Sequence, residues 1–295
     1  MNESRLEDKK NRLSWILALE GLDGIGRIQT QRLVNTFPTY EDLLNMPYEQ
    51  ALVRMKGVAK KENLLQRLRD KSYFTPLLHA AQEQITALQR IRVEVISWLD
   101  PNWPAGLPIN QSPPKPNLLY GYGNIALLKE PSFAIFGRTG IDPSAFERTQ
   151  SAVRHLLAHH KMILGGLNTG FDTVVHKICA EAGRPSIMWA SSGLSRVKTE
   201  IRTQAMNSVR LGGLMVSSFP MQHGHQEHDE FERAKWMASI AQCCIFADVK
   251  ENSPEYHAMN LAISLEKPVF GIGNTFPTGV QPISSEQDFV WLTVS

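Results

Sequence analysis

This chain of 295 residues has few cysteines, little net charge and no long apolar run. Its three cysteines, Cys179, Cys243 and Cys244, make no C-x-x-C pair, which argues against a disulfide framework or a cysteine zinc site. Cys243 and Cys244 fall inside an apolar run and read as inert core thiols. No stretch approaches the roughly 18 apolar residues of a membrane span. The start, Met1 to Lys10, is charged and lacks a signal-peptide core. A reducing, cytoplasmic setting with no membrane partner is therefore expected. Thirty-one Lys and Arg stand against 29 Asp and Glu, a net charge of +2. That balance gives no global pull on a polyanion, so any nucleic-acid contact needs a local patch.

What is present is an ordinary globular composition, 42% hydrophobic and 20% charged, long enough for two domains. Its most informative stretch is Leu164-Gly-Gly-Leu-Asn-Thr-Gly-Phe-Asp-Thr-Val-Val-His176. The apolar run before it reads as a strand, and Thr173 to Ala182 reads as a helix closed by Gly183. A glycine turn between strand and helix leaves backbone N–H groups free for an anion. Gly165, Gly166 and Gly170 are expected to take φ > 0 there and let a ligand approach, with Asn168 and Thr169 beside them. The spacing is neither G-x-G-x-x-G nor a Walker A loop, and no cofactor is expected. Asp172 and His176, four apart, share one helix face. They read either as an acid/base pair or as an N-terminal hydrogen-bond acceptor and a packed histidine.

Residues 1–90 read as helical. Leu22-Asp-Gly-Ile-Gly26 between two helices has the helix-hairpin-helix form, with a weaker echo at Met55-Lys-Gly-Val58. The amides at Gly24 and Gly26 suit either a nucleic-acid phosphate or a plain structural hairpin. Met46-Pro47 and Thr75-Pro76 read as breaks, with a later helix at Gln82 to Arg92. Residues 91–130 read as an extended segment leading into the core, with a short strand at Val93 to Ser97. From 131 to 295, apolar runs at 133–136, 161–164, 186–190, 214–216, 243–247 and 268–272 alternate with helical stretches. This alternation predicts a Rossmann-like, doubly wound, mainly parallel α/β sheet. Its ligand crevice belongs at the strands' carboxyl ends, where turns 137–140, 165–170 and 248–254 should meet.

Phosphate contacts in such a crevice need cations, and Arg138, Lys198, Arg202, Arg233 and Lys235 are the candidates. Trp103, Trp189 and Trp236 suit base stacking or the core, Trp189 most clearly the core. His223-Gly-His-Gln-Glu-His-Asp229 is rich in metal-ligand types, but on a polar loop it reads as a solvated segment. No metal site is expected.

Several ordered segments resemble the DprA/Smf (DNA-processing protein A) family. Gly166, Gly170, Asp172 and His176 fall on its S-G-x-A-x-G-I-D-x-x-A-H turn. Asp100-Pro-Asn-Trp-Pro-Ala-Gly-Leu107 is similar to its D-x-x-Y-P-x-x-L segment. Pro113-Pro-Lys-Pro-Asn-Leu-Leu-Tyr-Gly-Tyr-Gly-Asn124 is similar to its P-P-x-x-L-x-x-x-G-N segment. Ala134-Ile-Phe-Gly137 sits at the first strand and its turn. Met215-Val-Ser-Ser-Phe-Pro220 resembles S-E-x-P, bringing in Ser217, and Arg233-Ala-Lys235 resembles R-N-R. Ser253 opens the helix before the last strand. Departures mark a divergent branch: the G-S-R turn reads Gly137-Arg-Thr139, Ser218 replaces the glutamate, and Lys198-Thr199 stands at a Y-P element.

The resemblance implies a SAM-like helical domain followed by a Rossmann-like domain. Most members of that family carry a further C-terminal domain, but no winged-helix-type domain is expected here, since only the short tail Gly279 to Ser295 follows the last core strand. It also implies single-stranded DNA as ligand, a homodimer, a recombinase partner and non-catalytic handling of DNA for recombination. A second reading is a partner or antitoxin component of an anti-phage module, with a cognate toxin as its protein partner. A third is a LOG-type nucleotide N-glycosidase, although Asn252-Ser-Pro-Glu-Tyr-His257 lacks that family's P-G-G-x-G-T-x-x-E cradle.

Overall fold

A computed structural model describes residues 3–107, 116–138, 140–273 and 276–294. The chain forms two compact units, Met1–Asp100 with Pro108–Leu118, and Pro101–Leu107 with Leu119–Ser295. Among the described residues no helix is long and apolar enough to cross a membrane.

The first unit holds α1 (Glu3–Glu20), α2 (Arg27–Thr36), α3 (Tyr40–Asn45), α4 (Tyr48–Arg54), α5 (Lys61–Arg69), α6 (Lys71–Arg90) and β1 (Val93–Ser97). Its centre is aromatic. Trp15 meets Tyr40 and Phe74 at ring-centroid distances of 5.6 and 5.4 Å. The indole N–H donates to the Phe37 carbonyl at 2.9 Å, so the buried polar edge is satisfied. Gly24 (φ 83) makes the left-handed turn between α1 and α2, and Gly26 is the α2 N-cap. Asn117 fastens this hairpin, accepting from Gln31 Nε2 at 2.7 Å and donating to Glu20 Oε1 at 2.9 Å.

Thr75-Pro76 does not break the chain as its composition suggests. α6 starts at the Asp70 cap, which accepts from the Ser72 and Tyr73 amides, and runs on through Pro76. A proline near a helix start keeps a helical φ and forfeits one N–H, so the long apolar face beyond it prevails.

The second unit holds β2 (Leu118–Gly123), β3 (Ser132–Phe136), α7 (Pro143–Ala158), β4 (Met162–Gly166), α8 (Phe171–Glu181), β5 (Ser186–Ala190), α9 (Thr199–Arg210) and β6 (Leu214–Ser217). It continues with α10 (Glu227–Ile240), β7 (Cys243–Ala247), α11 (Pro254–Ser264), β8 (Val269–Ile272), β9 (Gln281–Pro282) and α12 (Val290–Val294). The strands run β2-β6-β5-β4-β3-β7-β8-β9. All pairs are parallel except β2 with β6. This is the doubly wound α/β sheet that the alternation predicts. Chain order reverses between β3 and β7, so α7, α8 and α9 cover one face and α10 and α11 the other.

Residues 91–130 are not simply extended. They hold β1, β2 and a 3-10 turn at Ile125–Lys129. The glycines of β2 disguise it as loop; at Gly121 the end of the Ile125 side chain lies where a Cβ would be.

The first face's core joins Phe133, Ile135, Ile163 and Ile245 to Ala152, Leu156 and Val175, with Phe289 and Leu292 from the C-terminal segment. Cys179, Cys243 and Cys244 are buried and unpaired. Burial pushes the Cys179 and Cys244 thiols up to about 12, which keeps them protonated and unreactive.

Candidate nucleic-acid interface

All the parallel strands end on one edge, which places turns 137–142, 167–170, 191–198 and 248–253 together. β4 continues through Gly166. Gly165 and Gly166 are therefore strand residues without positive φ, contrary to expectation, and only Gly170 (φ 78) takes that conformation in the turn. The two strand glycines serve the interior instead. A Cβ on Gly165 would lie 2.7 Å from His176 Nε2, and one on Gly166 would overlap the Arg233 guanidinium and the Asp172 carboxylate. Gly137, in the same way, leaves room for the ring of Phe171.

His176 is 3% exposed. Its Nε2 donates to the Gly166 carbonyl at 2.8 Å, so its Nδ1 accepts from Ser186 Oγ at 3.0 Å. Burial pulls its pKa down to about 4, and the ring is neutral at pH 7. Asp172 is buried and accepts from the Asn168 amide at 3.2 Å and from Arg233 Nη1 at 3.0 Å. Burial raises its pKa against the pull of Arg233.

Arg233 is 6% exposed. Burial works against its charge, but Asp172 and Glu230 outweigh that and raise its pKa. Its Nη2 lies 2.8 Å from Glu230 Oε2, one helical turn away. One guanidinium thus faces two carboxyl groups. Arg233 is not a free cation in the crevice.

The remaining sequence candidates divide by exposure. Arg138 reaches Asp248 at 3.3 Å, and the same carboxylate oxygen accepts from the Asp142 amide at 3.3 Å. This pair bridges the turns at the β3/β7 switch point; Thr139 lies outside the described residues, as do Pro113, Pro114 and Lys115. Lys198 is exposed at the α9 N-cap. Arg202 is exposed, but its Nη2 donates to the Ser195 and Val197 carbonyls, both at 2.9 Å. Lys235 is half-buried on α10. Ser217 is buried and structural, donating to the Ser192 carbonyl at 2.7 Å and accepting from the Phe219 amide at 3.0 Å. Ser253 caps α11 through the Tyr256 amide at 3.2 Å. Trp189 and Trp236 are core residues.

A cleft of about 330 Å³ opens between Asn168–Thr169 and the 191–198 loop. Leu167, Val197 and Ile201 give it apolar walls, Glu230 and Ser191 a polar floor, and Arg196 and Lys198 a cationic rim. Ser191, Arg196 and Glu230 were not singled out in the sequence, although Glu230 has i, i+3 spacing to Arg233, and His225 stood out only within the histidine-rich segment. In the histidine-rich segment, His223 Nε2 donates to buried Asp229 at 2.8 Å, and Gln226 and Asp229 form a reciprocal cap. Among the described residues no group of three His, Cys, Asp or Glu could hold a metal ion.

DNA processing protein A (DprA) from Streptococcus pneumoniae superposes with a TM-score of 0.65 at 17% identity, covering 99% of this chain and 98% of that one. DNA processing protein A from Helicobacter pylori gives 0.58 at 19% identity, covering 69% of this chain and 96% of that one. At these identities the likeness establishes the fold. No curated protein matches in sequence. The sequence model of the DNA recombination-mediator protein A family matches residues 94–283, a span that includes every turn at the carboxyl edge of the parallel strands. The chain belongs to that family.

Proposed function

We propose that the chain binds single-stranded DNA along the carboxyl edge of its parallel sheet, protects it and passes it to recombination machinery without covalent chemistry. The carrying observation is the pair of exposed cations, Arg196 and Lys198, that line the cleft at that edge, with Arg202 exposed on the adjoining helix. Such groups neutralise phosphates while leaving bases free to enter a pocket. The Helicobacter pylori relative, studied for its single-stranded DNA binding mode, supports this ligand class. A binding role without bond cleavage suits Asp172 and His176, which are buried and engaged with Arg233, Gly166 and Ser186. A recombinase partner, a homodimer and a cytoplasmic location belong to the same reading.

The test is fluorescence anisotropy with labelled single- and double-stranded oligonucleotides across a salt series, wild type beside Arg196→Ala/Lys198→Ala. Single-strand affinity is expected to fall steeply with salt. The double variant is expected to lose about 1.4 from the log–log slope, at about 0.7 per phosphate contact in single strands. Absence of single-strand binding at low salt overturns the proposal.

A further inference from the structure

Two hairpins of the helical unit share a form and differ in charge. The first, between α1 and α2, runs Glu20-Gly-Leu-Asp-Gly-Ile-Gly-Arg27, with two acids and one cation. Asn117 closes it, donating to Glu20 Oε1 at 2.9 Å and to the Arg27 carbonyl at 3.2 Å. The second, between α4 and α5, runs Leu52-Val-Arg-Met-Lys-Gly-Val-Ala-Lys-Lys61, with four cations and no acid. From Arg54 to Lys71 there are seven Lys and Arg against two Asp and Glu, while the whole chain carries only +2. The rest of the chain is therefore net negative. The positive excess is gathered in this segment, which is the local patch that a polyanion requires.

The hairpin is held from within and leaves three cations outside. Arg69, at the end of α5, donates to the Met46 carbonyl and lies over the Tyr48 ring at the start of α4. The two helices are therefore antiparallel, with the turn at their other end. Met55 and Val58 are buried and anchor it. Lys61 Nζ donates to the Leu52 carbonyl at 3.1 Å, and Arg32 of α2 donates to the Gly57 carbonyl. Those two cations shape the turn. Arg54, Lys56 and Lys60 are exposed, and no ion pair among the described residues engages them. Gly57 (φ 78) and Lys60 (φ 51) make its left-handed steps. Glycine adopts that conformation more easily, and a lysine in its place adds charge to the turn.

The surroundings of these cations choose between one strand and two. A single-strand site sets cations beside aromatic faces on which bases stack. The turn from Leu52 to Lys61 has no aromatic residue, and its exposed apolar side chains are Val53 and Ala59. Such a surface responds to charge alone. A duplex carries one charge per about 1.7 Å of its axis, against about 3.4 Å for one of its strands, so it is the polyanion that charge alone holds best.

We infer that the α4–α5 hairpin is a second nucleic-acid surface, which holds the phosphate backbone of duplex DNA through Arg54, Lys56 and Lys60 without reading sequence. It lies in a different unit from the sheet edge and does not depend on single-strand binding there.

Anisotropy of the full chain tests it, with a labelled blunt duplex and a labelled single strand of equal length across a salt series. Wild type is compared with Arg54→Gln/Lys56→Gln/Lys60→Gly and with Arg196→Ala/Lys198→Ala. Lys60→Gly removes the charge and keeps the left-handed backbone. Urea unfolding checks that the triple variant is folded, and Lys56→Glu, a single exposed position, takes its place if it is not.

Wild-type duplex affinity should fall steeply with salt. The triple variant should lose about 2.7 from the log–log slope, at about 0.9 per phosphate contact in duplex DNA. Its single-strand affinity should be unchanged, and so should the duplex slope of Arg196→Ala/Lys198→Ala. Absence of duplex binding at low salt overturns the inference and leaves the sheet-edge reading standing. So does a duplex slope that survives in the triple variant, or one that falls only in Arg196→Ala/Lys198→Ala. An equal loss of single-strand affinity in the triple variant overturns the choice of duplex. If the hairpin holds duplex and no single strand binds, this inference stands and the sheet-edge proposal fails.

Discussion

Two sets of charged groups occupy the same end of the sheet, and they do opposite work. Asp172, His176, Glu230 and Arg233 are buried or nearly so and bonded to one another or to the backbone. Arg196, Lys198 and Arg202 are exposed around the cleft. The residue types that most suggest chemistry, an aspartate and a histidine four apart under a glycine turn, belong to the interior set. The difference teaches that a glycine followed by Asp and His can mark a strand end held shut from beneath. Gly166 is small because Arg233 and Asp172 need its space. The groups able to meet a phosphate are the plainer cations on the neighbouring loop.

The comparison breaks most directly at Arg233. Arg233→Ala leaves Asp172 and Glu230 buried without their cation, and removing one partner of a buried ion pair costs about 3–5 kcal/mol. Asp172→Asn should fall in the same range from the other side. Urea unfolding should show both losses. The folded fraction should keep a single-strand affinity within a few-fold of wild type. Unchanged stability with binding abolished would move Arg233 from the interior set to the ligand-binding one.

His176 sharpens the contrast through pH. Its folded pKa, about 4, lies below its ordinary value of 6.5 because burial disfavours the imidazolium. A neutral ring is therefore favoured in the folded state. Its stabilising contribution is complete above about pH 6.5 and is lost as pH falls towards 4, where the unfolded chain binds more protons. The loss across that window is about 3 kcal/mol. His176→Gln cannot titrate, so thermal unfolding from pH 7 to 4 should show a shallower slope in the variant. Parallel slopes would mean that the ring is not sealed as the structure has it.

Much of the fold was legible in the sequence, and the reason lies in strand burial. β3, β5 and β7 are buried along their whole length, so each is a short, uninterrupted apolar run between helices. β2 was illegible because Gly121 and Gly123 mimic a loop, and what requires a glycine at 123 is its positive φ and the Gly213 carbonyl of the neighbouring strand segment, far away in sequence. The interior cluster was half legible. Glu230 and Arg233 are an i, i+3 pair on one helix, whereas Asp172 joins Arg233 across 61 positions of sequence. No local pattern encodes that contact. The cleft is harder still, since its walls and floor come from β4, β5, α9 and α10 segments that only the sheet order brings together.

The smallest expected effect is at Arg202, which sits between the two sets. It is exposed like the rim cations, yet its Nη2 is committed to the Ser195 and Val197 carbonyls and so shapes the loop that carries Arg196 and Lys198. Arg202→Lys keeps the charge and loses the planar Nη2 whose two N–H groups meet the two carbonyls. If the residue acts by shaping the loop, stability should fall by under about 1 kcal/mol, the range of an exposed hydrogen bond. Affinity should fall about twofold, with the salt slope unchanged because no phosphate partner is lost. If Arg202 instead contacts the strand through the planar guanidinium, the lysine variant should lose more affinity than stability, and Arg202→Ala should lower the slope by about 0.7. Read beside the Arg196→Ala/Lys198→Ala variant, that slope counts how many rim cations touch the strand and how many only hold the rim in place.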